Sequence, residues 1–184
     1  TLMKSVGISI IMAQAGLFVP CTNLTFKPYT QLFTRILNND NIFRSQSTFA
    51  VEMSELRCIL KCSNENSLIL GDELCSGTET LSAISIVSEG IRQLSLKGCS
   101  FILTSHLHQL TNLKCINEIK NLRINHLKID IDKGVLIYNR KLVEGSGPSV
   151  YGLKVCEAMG LPSEFIVNSK KTLSELEGTS STII

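Results

Sequence analysis

The alternation of apolar and polar positions along the chain predicts a mixed order of helices and strands. Residues 2–17 are mostly apolar and predict a helix buried on most sides, stopped by Gly16 with Pro20 beyond. "QLFTRIL" (31–37) reads as a short strand, and the Asn-rich "NNDNIFRSQS" (38–47) as a loop. From Thr48, apolar Phe49, Met53, Leu56, Ile59 and Leu60 recur at helical spacing, so 48–62 is a helix with Ser47 at its N-cap. "SLILGD" (67–72) is a continuous apolar run, the pattern of a parallel strand covered on both faces. Ile84, Val87, Ile91 and Leu94 mark a helix over 79–97, and "SFILTSH" (100–106) a second buried strand. Strand, helix and strand within about 40 residues form a βαβ unit with a right-handed crossover. Asp72–Glu73 and Ser105–His106 then share the carboxyl edge of the sheet, where open α/β sheets bind ligands.

Beyond this unit the pattern changes. "LRINHLKIDI" (122–131) and "GVLIYNRKLV" (134–143) alternate around Asp132-Lys133-Gly134, which predicts a β-hairpin. "EGSGPS" (144–149) is a Gly-rich loop. Helices follow at about 150–159 and 162–177, the second with Pro162 in its first turn, and 178–184 is expected to be a disordered tail.

Composition narrows the function. The chain has 184 residues, enough for one domain with a sizeable core. Net charge is +2, which gives no case for a strongly polyanion-binding surface. "VGISIIMAQAGLFVP" is too short and too polar for a membrane span, and no signal-peptide cleavage pattern follows a basic start. The seven cysteines are odd in number and unpaired in spacing. Cys58 and Cys62 sit four apart on one helix, but no second pair or nearby histidine completes a tetrahedral set. Reduced thiols in an intracellular protein are the expectation.

The chemistry concentrates in "SLILGDELCSGTET" (67–80), where an apolar strand runs into two adjacent carboxylates, Asp72 and Glu73. Burying a carboxylate is costly unless a metal or hydrogen-bond donors meet it. Two readings stand on the residues alone: a metal–nucleotide site at the sheet edge, or a strand that ends in solvated acids.

Four segments in order resemble the ATPase domain of MutS-type mismatch-repair proteins, members of the ABC class of P-loop ATPases. "STFAVEMSEL" (47–56) resembles the family's signature segment, "SLILGDELCSGTET" its Walker B stretch, "ILTSHLHQLTNL" (102–113) its switch segment, and "SVYGLKVCEAMGLP" (149–162) its S-Y-G-L segment. The resemblance runs from Thr1 to about residue 177. It implies an ABC-type P-loop fold, a mainly parallel sheet flanked by helices with a C-terminal β-hairpin and terminal helices. Two departures are visible. The phosphate loop G-P-N-x-x-G-K-S-T is missing: Thr1 matches its last threonine, so the loop is expected upstream and 1–177 is expected to be a partial ATPase domain. The family's Gly-Arg after the Walker B acids is Cys75-Ser76 here, which points to a divergent branch.

By that resemblance, Asp72 holds Mg²⁺ through a coordinated water, Glu73 polarises the water that attacks ATP, and His106 touches the γ-phosphate or that water. Thr1 lies near the α-phosphate, and Ser47 contacts the γ-phosphate of the opposite subunit in trans. Thr78 and Thr80 fall in a dimer-facing loop. His108, at a variable position, is expected on the surface or in packing. His126 has no partner in view, and Lys4 receives no role. The implied function is a mismatch-binding ATPase that couples ATP binding and hydrolysis to a DNA-clamp switch. It works as a homo- or heterodimer, contacts mismatched DNA through domains outside this chain, needs no membrane, and is intracellular and DNA-associated. Without the phosphate loop, the chain alone is expected to bind ATP poorly and to be inactive. The alternative is a non-catalytic dimerisation module derived from such an ATPase. A chromosome-structure or break-repair ABC ATPase fits less well, because "SQSTF" does not resemble the paired-glycine signature of those proteins.

Overall fold

The computed structural model describes residues 1–36, 48–132, 135–147 and 151–180. They fall into two compact units, Thr1–Leu122 and Arg123–Ile184.

The first unit is built on a parallel sheet in the order β1 (Gln31–Arg35), β2 (Ser67–Asp72), β3 (Ser100–Thr104). Helix α1 (Leu2–Gln14) precedes β1, α2 (Thr48–Cys62) joins β1 to β2, and α3 (Thr80–Leu96) joins β2 to β3. A 3₁₀ turn (His108–Asn112) and the short α4 (Lys114–Asn117) follow. The central strand explains its own composition. Leu68 and Leu70 pack with Met3 and Ile10 of α1 on one face. Ile69, pointing the other way, packs with Ile59 of α2 and Leu94 of α3. With both faces covered, polar residues have no place in the run, so it reads as unbroken hydrophobicity. Gly7 lets α1 approach this closely: a Cβ there would lie 2.6 Å from Leu70 Cδ1.

Helix α1 departs from expectation. It ends at Gln14, and Gly16 (φ +75°) closes it in a Schellman motif, with the Leu17 N–H on the Met12 carbonyl (2.9 Å) and the Gly16 N–H on that of Ala13 (3.0 Å). Only one flank is buried, through Met3, Gly7 and Ile10. Leu2, Ile8 and Ile11 are exposed, and Phe18 just beyond is 99% exposed. The helix lies on one sheet face, so a sequence apolar all round buries only the stripe that meets the sheet.

The second unit pairs β4 (Asn125–Asp132) with β5 (Val135–Glu144) in antiparallel register from Asn125↔Glu144 to Asp132↔Val135. Lys133 and Gly134, the predicted turn, lie outside the described residues. The register shifts between Leu127 and Ile129, where β5 carries extra residues and Arg140 turns left-handed (φ +53°). Helices α5 (Tyr151–Ala158) and α6 (Ser163–Ser180) complete the unit. Pro162 stands just before α6, its carbonyl accepting the Ile166 N–H, rather than inside the first turn. The helix runs past residue 177 to Ser180.

Candidate active site at the carboxyl edge of the sheet

The register of β2 against β3 pairs Asp72 with Thr104, so both strands end level. The Thr104 hydroxyl donates to Asp72 Oδ1, and the Glu73 N–H donates to the Thr104 carbonyl (3.0 Å). One β3 residue therefore fixes both acids. Past Asp72 the chain turns sharply: Glu73 (φ +50°) and Cys75 (φ +63°) both take the left-handed conformation that side chains disfavour.

Three contacts hold this turn. The first is the Glu73 N–H on Thr104. The second is Leu74, buried and folded back so closely over Gly71 that a Cβ there would lie 3.3 Å from Leu74 Cδ1. The third is the Cys75 N–H, which donates to Glu52 Oε1 of α2 at 2.6 Å.

The turn lifts Glu73 to the rim, where its side chain is 38% exposed. His106, two residues past β3, meets it: His106 Nε2 lies 2.7 Å from Glu73 Oε1, with the imidazole 85% exposed. An ionised carboxylate only accepts hydrogen bonds, so Nε2 carries the proton in this contact. The Glu73 Oε2 and Asp72 Oδ2 atoms make none of these contacts. Among the described residues, the edge thus presents two carboxylates and an imidazole, each carboxylate held through one of its oxygens.

Of the predicted residues, Asp72, Glu73 and His106 come together. Thr1 stands at the start of α1, its carbonyl accepting the Ser5 N–H (3.0 Å), and no hydrogen bond or ion pair among the described residues joins it to the three. Ser47 lies outside the described residues. Thr78 donates to Glu79 (2.6 Å) and Thr80 opens α3 on the surface. His108 is exposed at the start of the 3₁₀ turn. His126 does have a partner, the Gly145 carbonyl at 3.0 Å from Nδ1. Lys4 lines a polar groove with Thr34, Arg35, Ile36 and Glu55. Cys58 and Cys62 are exposed, and no cluster of three or more His, Cys, Asp or Glu suited to a metal ion occurs among the described residues. No helix among them is long and apolar enough to cross a membrane.

Sequence reasoning missed Glu52, Arg35 and Thr104. Glu52 is 3% exposed, and its carboxylate lies 4.0 Å from Arg35 Nε. Arg35 Nε is also 2.9 Å from Glu55 Oε2, although its N–H is aimed at no acceptor. These distances reflect charge attraction rather than hydrogen bonds, which need alignment. The signal for Glu52 was present: it sits three residues after Phe49 and four before Leu56, an acid inside the apolar stripe of α2. Its charge, together with burial, raises the Cys75 thiol to about 11, burial being the larger cause.

Residues 1–177 match the MutS domain V family. The chain belongs to the MutS family. A MutS homologue of DNA mismatch repair from Acanthamoeba polyphaga mimivirus is 45% identical over 171 residues, covering 90% of this chain and 15% of that protein. The mitochondrial DNA mismatch repair MutS homologue of Sarcophyton glaucum is 44% identical over 172 residues, covering 93% of this chain and 16% of that protein. The DNA mismatch repair protein MutS of Alkaliphilus oremlandii is 35% identical over 179 residues, covering 96% and 20%. The chain thus spans a fifth or less of the length of these relatives. As a MutS domain V it is a mixed α/β structure with a three-stranded parallel sheet, an antiparallel hairpin and flanking helices.

Proposed function

We propose that these residues are the ATPase domain, of ABC type, of a MutS-type protein that couples ATP binding and hydrolysis to a DNA-clamp switch in mismatch repair. The observation that carries this reading is the contact of Glu73 with His106 beside Asp72, at the sheet edge where α/β folds take ligands, inside a MutS domain V match.

Phosphoryl transfer asks a protein mainly for positioning and charge stabilisation. Glu73 Oε2 is free to accept a proton from an attacking water, while His106 steadies the carboxylate through Oε1 and offers its exposed ring to the terminal phosphate. Asp72, fixed through Oδ1 by Thr104, keeps Oδ2 for a metal-bound water. The edge fits Mg²⁺, which takes one or two carboxylates and keeps several waters and phosphate oxygens. That ion, when bound, neutralises phosphate charge. Thr1 is assigned to the α-phosphate end, and Ser47 to the γ-phosphate of a partner subunit in trans, with Thr78 and Thr80 facing that partner. Mismatched DNA is contacted by other parts of the polypeptide, which places the protein on DNA inside the cell. Higher identity to the mimivirus homologue and the Sarcophyton glaucum mitochondrial homologue than to the Alkaliphilus oremlandii protein, with Cys75-Ser76 in place of Gly-Arg, supports a divergent branch.

The test is Mg-ATP turnover by the 184-residue chain and by the native gene product that carries it. We expect turnover in the gene product, lost on Glu73→Ala, and little in the chain alone. No turnover in either would favour a non-catalytic dimerisation module.

A further inference from the structure

We propose that Glu52 is a positioning residue for hydrolysis: by accepting the Cys75 N–H from within α2, it holds the left-handed turn that aims Glu73. The inference rests on the reading of Glu73 given above.

A turn with two side-chain-bearing residues at positive φ is disfavoured and persists only if its surroundings fix it. Its start is tied to β3 through Glu73 N–H and Thr104, and its end is tied to α2 through Cys75 N–H and Glu52. Glu52 Oε1 is 2.6 Å from the amide nitrogen and sealed from water, so this bond has no solvent competitor. Arg35, at the end of β1 and in register with Gly71, places its guanidinium toward Glu52 and Glu55 together. Arg35 thereby compensates the buried charge and ties α2 to the same sheet edge. A buried acid in an apolar helix stripe is costly, and the function that accounts for it here is to deliver the position of α2 to Cys75, in the turn that carries the Glu73 carboxylate. Glu52 is buried and spends Oε1 on a backbone amide, so its effect on hydrolysis is through geometry, and a displacement of about 1 Å is enough to cost a large factor in rate.

The test uses the native gene product with three substitutions. Glu52→Gln keeps an acceptor for the Cys75 N–H, Glu52→Met keeps the length without an acceptor, and Glu73→Ala removes the carboxylate. Two quantities are read: steady-state kcat and KM for Mg-ATP, and nucleotide-free hydrogen exchange of the peptide spanning residues 70–80. We expect Glu52→Met to lower kcat by about tenfold or more, with KM within about twofold, and to speed exchange in that peptide. Glu52→Gln should restore both to within about threefold. Equal kcat in wild type and Glu52→Met, unchanged exchange, or a Gln variant as slow as Met would each overturn the proposal while leaving Glu73 in place. Hydrolysis that survives Glu73→Ala would instead overturn the reading on which the proposal rests. The exchange measurement stands independently of turnover, and any Glu52→Met protein too unstable for kinetics is judged by whether Glu52→Gln keeps wild-type exchange and kcat.

Discussion

At the scale of single residues, the site is a pair of carboxylates, each held through one of its two oxygens. Asp72 Oδ1 takes the Thr104 hydroxyl and Glu73 Oε1 takes His106, and no hydrogen bond or ion pair among the described residues takes the second oxygen of either acid. That Asp72, Glu73 and His106 share one sheet edge was legible because two predicted parallel strands end there, whereas the roles proposed for them rest on the family resemblance. Glu52 was harder to assign, since its partner is 23 residues away and is a backbone amide, which carries no sequence signal. Cys75 carries a residue-scale prediction. Its thiol is buried and raised to about 11, whereas Cys21, Cys58, Cys62 and Cys115 are exposed. At pH 8, iodoacetamide should modify those four first, as read by peptide mass, with Cys75 protected. Because the folded pKa lies above the ordinary value of 9.0, the folded state holds the thiol proton more tightly. The stability this contributes is present below about pH 9 and is lost as pH rises towards 11, so chemical denaturation at pH 10.5 should show a lower midpoint, and Cys75→Ser should reduce that pH dependence.

At the scale of elements, periodicity read α2 and β2 at their observed bounds, because α2 repeats every three to four residues and β2 is covered on both faces. It overstated the burial of α1. A hydropathy pattern reports what a helix can bury, and the packing of one sheet face decides how much it does. Gly7 is where α1 and β2 touch most closely. Gly7→Val should force Leu70, which is buried in the sheet core, out of its position. We expect destabilisation of about 1–3 kcal/mol, read as a lower denaturant midpoint with an unchanged slope. Valine at the exposed Ile8 should change the midpoint by no more than about 0.5 kcal/mol. The hairpin of the second unit was legible from alternation, but the register shift at Leu127/Ile129 was not, because an irregularity of pairing leaves the apolar pattern of each strand intact.

At the scale of the whole molecule, the proposed function assigns mismatch recognition to residues other than these, in keeping with a net charge of +2 and a span of a fifth or less of the length of the matched relatives. The isolated 184-residue chain should bind DNA weakly, with a dissociation constant no tighter than about 10⁻⁶ M at physiological salt, and should not distinguish a mismatch from a paired duplex in a fluorescence-anisotropy titration. A clear mismatch preference by this chain would relocate the recognition function. Nucleotide chemistry is the property assigned to these residues, and one measurement addresses it most directly: ATP binding and hydrolysis by the native gene product, wild type and Glu73→Gln, side by side. We expect Glu73→Gln to retain Mg-ATP affinity within a few-fold while its hydrolysis rate falls by about a hundredfold or more. Equal hydrolysis by the two proteins would contradict the assignment of the strand-end carboxylate to the attacking water.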